Sequence, residues 1–237
     1  MKTGGLAGGM PRALLLDLDD TLFDRGAAFA AWLAQRLGRA PEPGELAAFR
    51  EIDQRGRRPR DEFAADAARL GVTVEPARFP LELAEHVEPE AGAREALERL
   101  AARLRVGVVT NGGAAQRIKL ARLGLEGVVH AVFVSAELGA AKPAAAIFAH
   151  ALGWTGAAPH EVLFAGDDPI ADLAPAAAHG MVAVWRVRGE WPRWLAPPAH
   201  RIHSVAALEE LCGCAPPAAD ARDAGAGPGD AARGARA

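Results

Sequence analysis

Short apolar runs that end at polar residues or glycine recur along this chain. Each run is four to six residues long, and all but the first contain valine, as is typical of buried strands. The predicted strands are Ala13–Leu18, Val106–Thr110, Ala131–Val134, Val162–Gly166 and Met181–Trp185, with Ile202–Val205 as a candidate edge strand. The pattern indicates a sheet that is covered on both faces.

Helical patterns separate the later runs, and several of them end at a glycine, a common helix terminator. The predicted helices are Glu90–Arg103, Ala114–Leu123, Pro143–Leu152, Pro169–His179 and Ala206–Leu211, the middle three followed by Gly124, Gly153 and Gly180. Strands that alternate with helices of this length are typical of a doubly wound parallel sheet. We therefore predict an α/β fold with a Rossmann-like core.

The connection between the first two strands is much too long for a simple crossover. A parallel crossover needs about a dozen residues or somewhat more, whereas nearly ninety separate these strands. Helical patterns occupy four segments of this gap, namely Gly26–Leu37, Pro43–Asp53, Arg60–Leu70 and Pro76–Val87. We expect a small α-helical domain at 23–88, inserted into a core made of 12–22 and 89–212.

Charge and composition exclude several classes of protein. The 237-residue chain has a net charge of −3, which gives no overall attraction for nucleic acid or an anionic membrane. No stretch approaches the roughly 18 apolar residues of a membrane span, and the first residues lack the apolar segment of a signal peptide. Cys212 and Cys214 are too few and too close for a zinc site or a disulfide framework. We expect a cytoplasmic monomer or small homo-oligomer that binds neither nucleic acid nor membrane.

The two ends of the chain are predicted to be disordered. From Ala215 onward the sequence contains no large apolar residue, so this tail cannot bury enough surface to order itself. The prediction covers 1–11 and 215–237.

Chemically active residue types follow the predicted strands. Carboxyl ends of parallel strands meet at one edge of a sheet, where open α/β folds bind ligands. The residues at this edge are Asp17 and Asp19 after the first strand, Thr110, Asn111 and Gly112 after the second, Lys142 after the third, and Asp167, Asp168 and Asp172 after the fourth. Taken singly, each group also suits the start of a helix. Taken together, paired carboxylates for Mg²⁺, an anion cradle and one of only three lysines are what phosphoryl transfer requires.

This set of motifs resembles that of the haloacid dehalogenase-like hydrolase superfamily, and of its phosphatase branch in particular. The matching residues are the DLDDT segment at 17–21, Thr110, Lys142 and the GDDPIAD segment at 166–172. The resemblance covers roughly 12–211. It implies that 23–88 is the mobile helical cap of the subclass in which the cap follows the first motif.

The resemblance also implies roles for individual residues. Asp17 would attack phosphorus to form an aspartyl-phosphate, and Asp19 would protonate the leaving oxygen and then deprotonate water. Thr110, with Asn111 and Gly112, would bind the phosphoryl oxygens, and Lys142 would hold the Asp17–phosphate pair.

The implied Mg²⁺ ligands are the Asp17 carboxylate, the Asp19 main-chain carbonyl, Asp167 and a second acidic residue. That residue is either Asp172, which completes the G-D-x-x-x-x-D spacing, or Asp168.

The expected activity is Mg²⁺-dependent hydrolysis of small phosphorylated metabolites. A phosphosugar mutase of the same superfamily uses the same residues and is the main alternative. A dehalogenase needs no acid at position 19, and a phospho-accepting receiver domain would carry its aspartate after a later strand, so both fit less well.

The basic run Arg55, Arg57, Arg58 and Arg60 is interpreted as a solvated loop, with attraction of an anionic substrate group as its alternative.

Overall fold

A computed structural model describes residues 9–214 as a six-stranded parallel sheet with helices. The strands are β1 (Ala13–Leu16), β2 (Arg105–Thr110), β3 (Ala131–Val134), β4 (Val162–Gly166), β5 (Val182–Arg186) and β6 (His200–Ile202). Their order is β3-β2-β1-β4-β5-β6, and every neighbouring pair is parallel. The predicted doubly wound α/β fold is therefore confirmed.

The chain reverses its direction of winding between β1 and β4, which are neighbours in the sheet. Leu16 at the end of β1 is in register with Val108 of β2 and Ala165 of β4. The amide of Asp17 donates to the carbonyl of Ala165 at 2.9 Å, so the ladder continues one residue past β1. The segments that follow these strands therefore meet at one edge, at the switch point of the sheet.

Five α-helices lie between β1 and β2, and five lie in the rest of the described chain. The first five are α1 (Arg25–Leu37), α2 (Pro43–Asp53), α3 (Arg60–Arg69), α4 (Phe79–Ala84) and α5 (Ala93–Ala101). The others are α6 (Ala115–Arg122), α7 (Ser135–Leu138), α8 (Ala145–Thr155), α9 (Ala174–Ala178) and α10 (Leu208–Leu211). Single-turn 3₁₀ segments occupy Gln54–Gly56 and Pro159–Glu161, and a π-helical turn occupies Pro169–Leu173.

Several predicted boundaries were wrong. The helix predicted at Pro143–Leu152 begins at Ala145 and runs through Gly153 to Thr155, because Gly156, with φ of 63°, provides the left-handed terminator instead. A short helix, α7, precedes Lys142 and was not predicted. The helix predicted at Pro169–His179 is interrupted by the π-helical turn before α9 begins.

An aromatic cluster forms the centre of the helices between β1 and β2. Phe29 and Trp32 from α1, Phe63 from α3 and Phe79 from α4 are fully or almost fully buried. The ring centroids of Trp32 and Phe79 lie 4.7 Å apart, as do those of Phe63 and Phe79, within the range of favourable aromatic pairs. We call residues 23–88 the helical insertion; its division from the core at these bounds stays a prediction.

Of the predicted disordered ends, 1–8 and 215–237 lie outside the described residues. Within 9–214, no helix combines the length and apolarity needed to cross a bilayer. Cys212 and Cys214 are buried free thiols.

Candidate active site

Three buried aspartates converge at the switch point of the sheet. Asp17 follows β1, Asp167 follows β4, and Asp172 lies in the π-helical turn after β4. One carboxylate oxygen from each lies within 4.8 Å of the others. Hard divalent cations such as Mg²⁺ prefer oxygen ligands of this kind. The cluster of Asp17, Asp167 and Asp172, called here the carboxylate cluster, could therefore hold such an ion.

Lys142 is the cation that two of these carboxylates share. Its Nζ lies 2.5 Å from Asp17 Oδ1 and 2.7 Å from Asp172 Oδ1, and all three residues are buried. The side chain of Asn111 fixes the backbone of Lys142: Asn111 Nδ2 donates to the Lys142 carbonyl, and Asn111 Oδ1 accepts from the Lys142 amide, both at 2.8 Å. The amide of Asn111 is therefore used to position Lys142.

Residue 166 must be glycine because the side chain of Asp172 packs directly against its backbone. A Cβ atom built on Gly166 would lie 2.6 Å from both Cβ and Oδ2 of Asp172, which is too close for any side chain. Asp172 Oδ2 in turn accepts from the amide of Asp168 at 3.2 Å. The backbone after β4 thus brings Asp172 into the carboxylate cluster only because residue 166 has no side chain.

The two candidates for the second acidic residue differ in where their side chains point. Asp168 Oδ1 accepts from the amides of Ile170 and Ala171 at 2.9 and 3.1 Å, so it caps the turn that follows. Its other oxygen pairs with Arg57. Asp172 lies in the carboxylate cluster and Asp168 does not.

Asp19 points away from the carboxylate cluster toward a group of donors. Its Oδ1 lies 2.6 Å from Lys119 Nζ and 3.9 Å from Arg25 Nε, and its Oδ2 accepts from Gln116 Nε2 at 2.7 Å. Burial alone would raise the pKa of Asp19, but Lys119 and Arg25, with the hydrogen bonds from Lys119 and Gln116, lower it below its ordinary value. The proposed contact of Asp19 with a metal therefore rests on its main-chain carbonyl alone.

Gln116 connects Asp19 to Thr110. Its Nε2 also donates to Thr110 Oγ1, so one amide bridges the end of β2 and the segment after β1. Gly112, with φ of 147°, leaves room for it, since a Cβ atom there would lie 2.9 Å from Gln116 Cγ. The amide of Gly112 itself donates to Ser135 Oγ at 3.0 Å.

Two carboxyl groups of the cluster, those of Asp17 and Asp167, have raised pKa values in the absence of a metal ion. Burial raises the pKa of Asp17 well above its ordinary value; Lys142 opposes this shift, and Asp172 and Asp167 add to it. Burial and then Asp172 raise the pKa of Asp167 to about 7, against the opposing effect of Arg55. A bound divalent cation would relieve this repulsion, so the donor set fits Mg²⁺.

Sequence reasoning missed several residues of this site and some of the contacts of others. Lys119, Gln116 and Arg25 were not singled out, and only the rarity of lysine pointed to the first. Arg55 and Arg57 of the basic run are exposed, as expected of a solvated loop, but both also form ion pairs that the sequence did not predict. Arg55 pairs with Asp20 at 2.8 Å and with Asp167, and Arg57 pairs with Asp168.

These residues line one cavity of about 730 Å³ between the sheet edge and the helical insertion. The sheet edge contributes the acidic residues, Thr110, Asn111, Gly112 and Lys142, and the helical insertion contributes Arg25, Arg55, Arg57, Arg60, Pro80 and Leu83. The volume is that of a pocket for a small molecule.

Comparison with known proteins places the chain in a family. The family model described as haloacid dehalogenase-like hydrolase matches residues 11–180. The chain is 32% identical to the pyrimidine 5′-nucleotidase YjjG of Escherichia coli over 157 residues, which are 63% of this chain and 68% of the relative. It is 31% identical to the ribulose-1,5-bisphosphate 5-phosphatase of Halopiger xanaduensis over 204 residues, 74% of this chain and 84% of the relative.

A solved structure extends the comparison to the fold. The HAD-hydrolase YfnB of Bacillus subtilis, solved bound to magnesium, superposes with a TM-score of 0.72 at 21% identity, over 86% of this chain and 99% of that one. The resemblance drawn from the motifs is confirmed: this chain belongs to the haloacid dehalogenase-like hydrolase family.

Proposed function

We propose that this protein is a phosphatase that hydrolyses small phosphomonoesters with the help of Mg²⁺, through an aspartyl-phosphate formed on Asp17. The observation that carries the proposal is the position of Asp17. Its carboxylate opens onto the cavity, 2.5 Å from Lys142 and within 4.8 Å of two further carboxylates. Of the two relatives described above, one is a 5′-nucleotidase and the other a phosphatase by name.

The first half of the reaction transfers the phosphoryl group to the protein. A carboxylate oxygen of Asp17 attacks phosphorus, the bond from phosphorus to the ester oxygen breaks, and the leaving oxygen takes a proton from Asp19. Asp19 must enter this step protonated; the negative charge of the bound phosphate raises the pKa of a nearby carboxyl and so opposes the lowering by Lys119 and Arg25. Lys142 holds the nucleophile and donates to the anionic group that forms beside it. The hydroxyl of Thr110 accepts a hydrogen bond from Gln116 and lines the cavity, where it can donate to a phosphoryl oxygen.

The second half restores the protein. Asp19 removes a proton from water, and the water oxygen attacks phosphorus. The bond between phosphorus and the Asp17 oxygen breaks, which releases inorganic phosphate and the free carboxylate. Lys119 and Gln116 hold Asp19 in one orientation for both proton transfers, since each donates to a different oxygen of its carboxylate.

Mg²⁺ would be held by Asp17, Asp167 and Asp172, with the main-chain carbonyl of Asp19. When bound, it would neutralise charge on the transferred phosphoryl group and on the surrounding carboxylates. Asp168, which caps the turn after β4, is assigned a supporting role.

The helical insertion serves as a cap in this proposal. Arg25, Arg60 and Leu83 from the insertion line the cavity together with the sheet edge. A cap that closes excludes bulk water from the phosphoryl transfer, and one that opens releases the product.

Phosphate release from p-nitrophenyl phosphate in the presence of Mg²⁺ tests the proposal. Asp17→Asn removes the nucleophilic oxygen and should abolish turnover. Asp61→Asn, an exposed position on α3, is the matched control and should retain wild-type activity. Activity above a trace in folded Asp17→Asn would contradict the covalent mechanism. A second assay, with a sugar phosphate present, separates hydrolysis from transfer by a mutase. A hydrolase releases free phosphate as fast as the ester is lost, whereas a mutase transfers the phosphoryl group to the sugar phosphate.

A further inference from the structure

One basic side chain of the cavity has no acidic partner. Arg25 forms two hydrogen bonds with Asp53, at 2.6 and 3.0 Å, and Lys119 lies 2.6 Å from Asp19. The side chain of Arg60, at the start of α3, forms no hydrogen bond or ion pair with any residue of the described chain, and its Nη1 nitrogen is buried without a partner. Its closest described interaction is with the ring of Phe79, whose centroid lies 5.2 Å away.

This arrangement is costly unless an anion completes it. The Arg60 side chain is partly exposed, but its buried Nη1 nitrogen has lost its hydration and gains no hydrogen bond in return. Burial, and then the charge of Arg25, lower the pKa of Arg60, because the positive charge is unfavourable where it stands. Burial lowers the pKa of Lys119, and the charges of Arg25 and Arg60 add to this shift. The region around Asp19 therefore holds three cations against the carboxylates of Asp19 and Asp53.

The position of Arg60 connects this excess charge to the substrate. Arg60 lines the same cavity as Asp17 and Lys142, and Pro80 and Leu83 line its apolar part. A guanidinium binds carboxylate or phosphate oxygens through paired hydrogen bonds. A small molecule could therefore place its phosphate at Asp17, its carbon chain along the apolar wall, and a second anion at Arg60.

We propose that Arg60 binds a second anionic group of the substrate, so that the preferred substrates are phosphomonoesters that also carry a carboxylate or another phosphate. This inference rests on the proposed phosphatase function and adds the class of substrate. Arg60 acts as a binding residue and takes no part in the chemical steps.

Matched substrate pairs test the inference. 3-Phosphoglycerate has a carboxylate where glycerol 3-phosphate has a hydroxymethyl group, and fructose 1,6-bisphosphate has one more phosphate than fructose 6-phosphate. In the wild type, kcat/KM should be at least tenfold higher for the more anionic member of one pair, and the pair that responds identifies the group. Arg60→Gln should bring that ratio close to one, and Arg60→Lys, which keeps the charge without the planar fork, should retain part of it.

Arg69→Gln provides the control, since Arg69 lies on the same helix with its side chain 77% exposed; it should leave the ratio unchanged. A wild-type ratio within threefold of one in both pairs would overturn the inference, as would a ratio that persists in folded Arg60→Gln. If Arg60→Gln fails to fold, Arg60→Met, which keeps most of the side-chain stem without the charge, takes its place, and a ratio that persists in folded Arg60→Met would overturn the inference. Absence of phosphate release from every ester, p-nitrophenyl phosphate included, would instead refute the phosphatase function on which it rests.

Discussion

At the scale of single residues, the site depends on a few side chains whose direction is set by short contacts with the backbone. Asp168 and Asp172 have the same chemistry and lie four positions apart. The amides of Ile170 and Ala171 bind Asp168, whereas the absence of a side chain at Gly166 admits Asp172 to the carboxylate cluster. Sequence spacing alone left this choice open, because it does not state which amides a carboxylate will meet.

Gly166→Ala tests this dependence. The new methyl group would lie 2.6 Å from Cβ of Asp172, so Asp172 or the strand must move. We expect a loss of stability of roughly 1–3 kcal/mol and at least a tenfold loss of phosphatase activity, measured by urea denaturation and phosphate release. Gly189→Ala is the control, because the space around that position is open. Equal effects of the two substitutions would refute the role given to Gly166.

Residues brought together by strand ends could be predicted, and residues brought together by helix packing could not. Asp17 and Asp167 directly follow buried strands of one parallel sheet, so topology alone places them at one edge. Lys142 reaches the same edge from the segment after β3 and α7. Lys119 and Gln116 reach Asp19 from α6, which depends on how that helix sits against the sheet. No local pattern in the sequence carries that information.

At the scale of elements, the end of α8 shows how far glycine alone predicts a helix boundary. Gly153 and Gly156 lie three residues apart, and only Gly156 adopts the left-handed conformation that ends the helix. The apolar residues Ile147, Phe148 and Ala151 bury one face against the sheet, and this packing carries the helix past the first glycine.

Substitution of the two glycines by alanine should change the free energy of unfolding in opposite directions. Gly153→Ala should raise the free energy of unfolding by roughly 0.5–1 kcal/mol, because alanine favours a helix interior and nothing lies within 4 Å of its new Cβ. Gly156→Ala should lower it by roughly 1–2 kcal/mol, because φ of 63° is strained for alanine. Urea denaturation of both variants measures the difference. Stabilisation by Gly156→Ala would contradict the boundary described here.

At the scale of the whole molecule, charges from the helical insertion meet charges from the sheet edge. Arg55 pairs with Asp20 and Asp167, and Arg57 pairs with Asp168, so the insertion is joined to the acidic edge by ion pairs. The sequence predicted both the parallel sheet and helices between its first two strands. It did not predict these contacts, because they depend on how the insertion packs on the core; those with Asp167 and Asp168 join residues more than a hundred positions apart.

The raised pKa of Asp167 predicts how stability depends on pH and metal. In the metal-free protein this carboxyl has a pKa of about 7, against 3.8 as the ordinary value. Between pH 4 and pH 7, the folded state therefore keeps a proton on Asp167 that the unfolded chain has lost. The contribution of this carboxyl to stability is full below pH 4 and is lost as the pH rises through 7. We expect the free energy of unfolding to fall over this range in metal-free protein, by more in the wild type than in Asp167→Asn.

Mg²⁺ should reverse this loss, because it binds the ionised carboxylates and stabilises the folded state by mass action. Urea denaturation with EDTA or with Mg²⁺, at pH 5 and pH 8, separates the two effects. The stabilisation by Mg²⁺ should be larger at pH 8 and much reduced in Asp167→Asn. Equal stabilisation of the wild type and Asp167→Asn would place the metal elsewhere.

The most direct test of the account is to trap the phosphorylated protein. Asp19→Asn should slow attack by water on the aspartyl-phosphate, since the base that activates the water is lost. This variant should be mixed with p-nitrophenyl phosphate and Mg²⁺, quenched in acid, digested and analysed by mass spectrometry. The account predicts one added phosphoryl group on Asp17, and none when Asp17→Asn is combined with Asp19→Asn. Phosphorylation of another residue, or its persistence in the double variant, would contradict the account.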